Sequence, residues 1–115
     1  MKVREIVEYV NGTVLCCEEC LDVEIKAAFG SDLMSDVLAY CEEESILITG
    51  LVNNQVIRTA EMLDLRAIVF VRGKKPSEDV IELAIENEIA LIASHHSMYT
   101  AAGILFSKGL NGTKF

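Results

Sequence analysis

Residues 46–94 alternate between continuous apolar runs and amphipathic stretches. Runs 46–50, 67–71 and 89–94 read as buried strands, and stretches 54–65 and 76–87 as the helices between them. Nothing else in the chain limits its fold so tightly, because tandem strand–helix–strand units build a parallel sheet with helices packed on its faces. Strands covered on both faces read as unbroken apolar runs, as Ile46, Leu47 and Ile48 do. In such a sheet the loops leaving the carboxyl ends of the strands gather along one edge, where ligands bind. Those loops are Thr49-Gly50-Leu51-Val52-Asn53-Asn54, Arg72-Gly73-Lys74-Lys75-Pro76 and Ser94-His95-His96-Ser97.

The flanks extend the pattern. Val3, Ile6, Val7 and Val10 recur at helical spacing, and Asn11-Gly12 supplies a left-handed stop. Residues 13–17 form a short β-rich run, and residues 23–29 suit another strand whose direction is left open. Ser31 or Asp32 is expected to cap a helix that carries Leu33, Val37, Leu38 and Cys41 on one stripe. Glu42-Glu43-Glu44, unfavourable at a helix C-terminus, reads as a solvated loop. Asn53 or Asn54 is expected to cap the next helix, with Val56, Ile57, Ala60 and Leu63 inward. Pro76 or Ser77 opens the one after, with Ile81, Leu83, Ala84 and Ile85 inward. Ser97 caps a last helix stopped by Gly109. The expected architecture is α/β: three layers, α/β/α, with a mostly parallel sheet of about five strands. At 115 residues the chain is read as a single domain over residues 1–110, followed by a tail over 111–115 that is loose apart from what Leu110 before it and Phe115 at its end can anchor.

Charge and composition exclude several functions. A net charge of −8 argues against general nucleic-acid binding, which depends on cations displacing counterions from phosphates. No stretch reaches the roughly 20 apolar residues of a membrane span, and the N-terminus does not read as a signal peptide. A cytoplasmic location is the expectation. Cys17-Glu18-Glu19-Cys20 has the spacing of metal and redox thiol pairs. However, a zinc site needs about four ligands, and a redox pair belongs at a helix start. With Cys16 and Cys41, these are read as ordinary buried or half-exposed thiols.

Three features carry candidate chemistry. Gly50 and Gly73 stand between a strand and a helix start, where backbone N–H groups attract anions, and Lys74 and Lys75 add cationic reach. No Walker-type or dinucleotide-type glycine run accompanies them. His95-His96 offers an imidazole near neutrality, but adjacent histidines do not chelate one metal easily and no nucleophile elbow is present. Asp32 and Asp36, four apart, are suited to acid–base work or simply to favouring a helix dipole. Finally Met34, Met62, Met98, Tyr40, Tyr99 and Phe106, with a mean hydropathy of +0.34, tilt the reading toward a homodimer.

The order Phe29-Gly30-Ser31-Asp32-Leu33-Met34-Ser35-Asp36-Val37-Leu38-Ala39, then Ile48-Thr49-Gly50, Gln55-Val56-Ile57-Arg58-Thr59-Ala60, Ile68-Val69-Phe70-Val71-Arg72-Gly73-Lys74-Lys75-Pro76 and Ile92-Ala93-Ser94, resembles stand-alone members of the DRTGG-domain family. The loops depart from the motif behind that name. Leu51-Val52 follows Gly50, and Val71-Arg72-Gly73 stands in place of Thr-Gly-Gly, so that Gly73 and Pro76 match. The resemblance implies an α/β module similar to the N-terminal domain of HPr kinase/phosphorylase. Such modules also accompany CBS domains in regulatory pyrophosphatases and occur in phosphotransacetylases, where they are regulatory or dimer-forming while other domains catalyse. Stand-alone relatives are encoded beside iron-only hydrogenase and electron-transfer genes.

The expectation is therefore a non-catalytic regulatory module binding a small anionic metabolite, a nucleotide or a partner protein, without cofactor or metal. Its ligand-binding residues are expected to be Ser31, Asp32, Thr49, Gly50, Asn53, Asn54, Arg72, Gly73, Lys74, Ser94 and His95. The alternatives are a small enzyme with Asp32 or His95 as base, or an interaction subunit linked to a hydrogenase or other redox system.

Overall fold

A computed structural model of the chain describes residues 1–113. In chain order its elements are α1 (Val3–Tyr9), β1 (Thr13–Cys16), a 3₁₀ turn (Glu18–Cys20), β2 (Ala27–Gly30), α2 (Met34–Tyr40), β3 (Ser45–Thr49), α3 (Asn54–Met62), β4 (Ala67–Phe70), α4 (Glu78–Glu86), β5 (Ala90–Ala93) and α5 (Met98–Ser107). The five strands form one sheet in the order β1-β5-β4-β3-β2. Strands β2 to β5 are parallel, and β1 closes the far side antiparallel to β5.

The two-residue period of the strands divides the core. Ile46 and Ile48, Val69 and Val71, and Ala90 and Ile92 face α1 and α5, joining Val3, Ile6, Ala101 and Leu105. Leu47, Ile68, Phe70 and Leu91 face the opposite layer, where Met34 and Val37 of α2, Val56, Ile57 and Ala60 of α3, and Val80 and Ala84 of α4 cover them. Each large side chain buried this way contributes about 1.5–3 kcal/mol. Because each parallel strand lies beside its predecessor, the three crossover helices share one face, as uniform right-handed connections require. The expected three-layer α/β/α architecture is what forms.

Several boundaries depart from expectation. The strand expected at 23–29 is confined to Ala27–Gly30 and runs parallel to β3. Its leading residues are taken by the chain start: the Val23 carbonyl accepts the Val3 N–H at 3.1 Å, and the Ile25 N–H donates to the Met1 carbonyl at 2.7 Å. After α1 it is Asn11 that adopts the left-handed conformation (φ 52°). Gly12 is needed for space instead, since a Cβ there would stand 2.6 Å from Ile92 Cγ2. Neither Ser31 nor Asp32 caps α2. Leu33 holds that position, and Leu33 and Leu38 point outward, leaving Met34, Val37 and Cys41 as the buried stripe. Ile85 is likewise exposed, and Val80 packs in its stead. Asn53 caps α3 through Oδ1, which accepts the Val56 N–H at 3.3 Å, and Ser77 and Ser97 precede α4 and α5.

The segment expected as a loose tail begins in place. Leu110 is buried, the Asn111 carbonyl accepts the Ala28 N–H at 2.9 Å, and Gly112 bridges to Ala28 along the open side of β2. Pairing of this kind blunts an exposed strand edge. The anchoring expected of Phe115 lies outside the described residues. At the opposite end of the sheet, the thiols of Cys16, Cys17 and Cys20 donate to the carbonyls of Ile89, Ala84 and Glu88. Burial and the neighbouring thiol push Cys17 up to about 12, the protonated form that such donation requires. The cluster fastens β1 and the 3₁₀ turn to the α4–β5 corner.

Candidate functional site

Parallel strands with a common direction put the exits at Gly30, Thr49-Gly50, Val71-Arg72 and Ser94 on one rim. Since α2, α3 and α4 share a face while α5 lies on the other, the exits of β4 and β5 are the pair that diverge. Divergence of adjacent exits is what opens a crevice in α/β sheets. Here the crevice is stitched shut by backbone: the Arg72 N–H donates to the His96 carbonyl and the Gly73 N–H to the Ser94 carbonyl, each at 2.8 Å. Arg72 and Gly73 reach those partners by adopting consecutive positive φ angles of 58° and 66°.

On the β2–β3 side of the rim, Asp32 clamps the loop after β3. Its Oδ1 accepts the Gly50 N–H at 2.7 Å and the Thr49 hydroxyl at 2.9 Å, while Thr49 Oγ1 accepts the Leu51 N–H at 3.1 Å. The Gly50 N–H holds the Asp32 carboxyl below the usual carboxylate range. The Thr49 hydroxyl and the positive charges of Arg72 and Lys74 act in the same sense, against an opposing effect of burial. Arg72 crosses from the neighbouring exit to lie over Gly50, where a Cβ would stand 2.9 Å from Nη2. A side chain at that position would displace the flexible end of Arg72. Arg72, Lys74 and Lys75 take part in no salt bridge among the described residues, although four other cationic groups do.

Beyond the stitch, a cavity of about 150 Å³ is lined by Thr13, Leu15, Gly73, Lys75, Ala93, Ser94 and His95. It is smaller than the roughly 300–1,000 Å³ of sites for drug-sized ligands. The His95 ring fits against Gly73, whose Cβ would fall 2.9 Å from Nδ1.

The structure thus brings Asp32, Thr49, Gly50, Arg72 and Lys74 together, and groups Gly73, Ser94 and His95 beside them. It also redirects several expectations. The amides of Gly50 and Gly73 form no anion cradle, because each is committed to an oxygen of the protein. The Ser94 hydroxyl is buried and donates to the Val10 carbonyl at 2.8 Å, so it supports the rim from beneath. Thr49 is buried and its hydroxyl is engaged by Asp32 and Leu51. Asn53 is occupied as a cap, while Asn54 is exposed at the first turn of α3. Ser31 Oγ accepts the Leu33 N–H at 3.0 Å and shapes the turn before α2. Asp32 and Asp36 do not pair, since Asp32 precedes the helix and faces the β3 exit. Sequence reasoning missed Thr13 and Leu15, which the antiparallel pairing of β1 with β5 brings to the rim. Nothing local in residues 13–16 signals that partner.

The family model of the DRTGG domain matches residues 5–107. The chain belongs to the DRTGG domain family. Among curated proteins none matches it. The fold of this DRTGG domain is similar to a crystal structure of the CBS and DRTGG domains of the regulatory region of Clostridium perfringens pyrophosphatase, complexed with the activator diadenosine tetraphosphate. The TM-score is 0.74 at 21% identity, and the match covers 90% of this chain and 45% of that one. The DRTGG domain therefore spans less than half of that regulatory region's length. No helix among its described residues is long and apolar enough to cross a membrane.

Proposed function

We propose that this DRTGG domain is a non-catalytic, cytoplasmic regulatory module that binds a small anionic metabolite or nucleotide through the side chains of its strand-exit rim and works as a homodimer. The carrying observation is electrostatic. In a chain of net charge −8, Arg72, Lys74 and Lys75 sit together on the rim without a salt-bridge partner among the described residues. Cations left this way favour an anionic visitor. A nucleotide is in keeping with the similar pyrophosphatase regulatory region, whose structure holds diadenosine tetraphosphate. Likeness to the N-terminal domain of HPr kinase/phosphorylase belongs to the same reading.

The enzyme alternative has less support. A carboxylate held below its ordinary range, as Asp32 is, makes a weaker base at neutral pH. The other alternative, an interaction subunit of a redox system, is favoured by one observation: Tyr99 and Phe106 are 89% and 66% exposed.

A thermal-shift screen of nucleotides and small anions, at constant ionic strength and with and without thiol reductant, tests the reading. A ligand at 100 times its Kd stabilises by about 2.7 kcal/mol, or roughly 10 °C for a chain of this size. The expected result is such a shift with at least one anion, lost in Arg72→Ser/Lys74→Ser. No shift with any of them, or a shift that survives the double substitution, overturns it.

A further inference from the structure

Helix α5 (Met98–Ser107) breaks the charge pattern of the rest of the molecule. Its ten residues include no Asp, Glu, Lys or Arg, whereas α1, α2, α3 and α4 all carry acidic residues. Its inner side packs through Ala101 and Leu105, but its outer side is also apolar, with Tyr99 and Phe106 standing in water. A helix that is apolar all round is ordinarily buried all round.

Beside α5 the sheet is incompletely covered: Gly30 is exposed and Ala28 half-buried, although Ile48 is buried. Three helices cover one face and two cover the other. The shortfall leaves a groove of about 820 Å³ floored by Ala28, Gly30 and Ile48 and closed by Leu110 and Gly112, with α5 as its wall. Among the described residues no charged one lines it. In the middle of the wall is Gly103, and a Cβ added there would meet nothing within 4 Å. A helix-interior glycine lowers helix propensity, and no contact among the described residues accounts for this one.

We infer that the occupant is a second copy of the chain, docked isologously so that α5 of each protomer lies in the groove of the other. A two-fold interface must be self-complementary, and this surface is both insert and receptacle: Tyr99 and Phe106 project, while Gly30, Gly103 and Gly112 recede. Charge narrows the choice of partner. Two chains of −8 repel over most of their surface, and the acid-free α5 face is where they can meet. Covering Tyr99 and Phe106 in both protomers removes on the order of 600 Å², about half of what a standard interface needs; the groove floor and walls contribute the remainder. The inference rests on the homodimer part of the reading above and is independent of rim binding.

Light scattering on the whole chain, from about 5 to 100 μM, tests it. The expected mass is twice the 12.7 kDa of one chain. Tyr99→Glu, Phe106→Glu and Gly103→Leu are each expected to weaken association at least a hundredfold while retaining the far-UV circular dichroism of the parent. Gly103→Leu is the decisive variant, because leucine improves helix propensity and its Cβ would enter open space. Met62→Glu, on an exposed site of the opposite layer, is expected to stay dimeric. A monomeric parent overturns both the interface and the dimer, and native mass spectrometry finding a co-purified apolar molecule on that monomer reassigns the groove to a ligand. A dimer that survives the α5 substitutions and dissociates with Met62→Glu overturns the interface while the dimer stands. Anion binding at the rim, measured on the same samples, reports separately on the regulatory reading.

Discussion

Replacing Asp32 by alanine removes one side chain and releases two donors. The Gly50 N–H, in a buried residue, loses an acceptor at 2.7 Å, and the Thr49 hydroxyl, fully buried, loses one at 2.9 Å. An unsatisfied buried donor costs about 1–3 kcal/mol. Because Asp32 itself lies at the surface, water can follow into the gap, and the loss is set at about 1.5–3 kcal/mol for the pair. For a chain this long that corresponds to a Tm lower by roughly 6–12 °C. Asp32→Asn keeps an oxygen acceptor and forfeits its charge, so about half the loss is expected. Asp36→Ala, four residues on at the start of α2, loses a favourable dipole contact of about 0.3–1 kcal/mol and serves as the control.

Urea titration followed by far-UV circular dichroism is the assay, since the chain has no tryptophan. Its pH dependence has a definite sign. The folded-state pKa of Asp32 is depressed, so its contribution is present in full above the unfolded value of about 3.9 and disappears as pH falls through the folded value. The stability difference between parent and Asp32→Asn is therefore flat from about pH 5 to 7 and closes below about pH 4. An Asp32→Ala loss no larger than that of Asp36→Ala, or a difference unchanged at low pH, refutes the clamp.

Two further expectations concern conformation and thiol chemistry. Gly73→Ala must hold φ 66° and place a methyl 2.9 Å from His95 Nδ1, so a loss of at least about 1–2 kcal/mol is expected in the same assay, and a neutral result contradicts the described turn. Cys17, pushed up to about 12 from an ordinary 9.0, has about a thousandfold less thiolate at pH 8 than an unperturbed thiol. Peptide mapping after iodoacetamide treatment is expected to find Cys17 unmodified until the protein is unfolded; rapid native labelling contradicts the burial described here.

The strand exits were legible because buried parallel strands announce themselves as unbroken apolar runs. Ile46, Leu47 and Ile48 needed no partner to be read, and the loops that follow came with them. Arg72 and Lys74 were legible for the same reason, as charges just past a strand end. What those loops bond to was not. The Asp32 clamp joins residues 17 and 18 apart, and the Ser94–Val10 bond spans 84. Choices at that range are made by packing, so Gly50 and Gly73 looked like anion cradles although their amides serve the fold. The α2 stripe misled for a local reason. Leu33 precedes the helix and Leu38 falls on its outer side, so the apolar residues of 33–41 outnumber those that the sheet covers.

The order of the strands sharpens what the rim can recognise. Where two exits part between buried strands, free amides at a helix start can read a phosphate by shape. Here β2 to β5 follow one another without reversal, and the exits of β4 and β5 diverge because α5 crosses to the other face. The Arg72 and Gly73 amides bridge that divergence, so the anion binding proposed above would have to run through the side chains of Arg72, Lys74 and Lys75. Recognition by long cationic side chains selects for charge and its spacing more than for the outline of one group. On that proposal an incoming anion would have to compete with the Asp32 carboxylate, which already lies in the field of Arg72 and Lys74. A ligand carrying several negative charges meets that condition better than a monoanion, which is why a polyphosphate chain is a better first probe of this rim than a simple carboxylate.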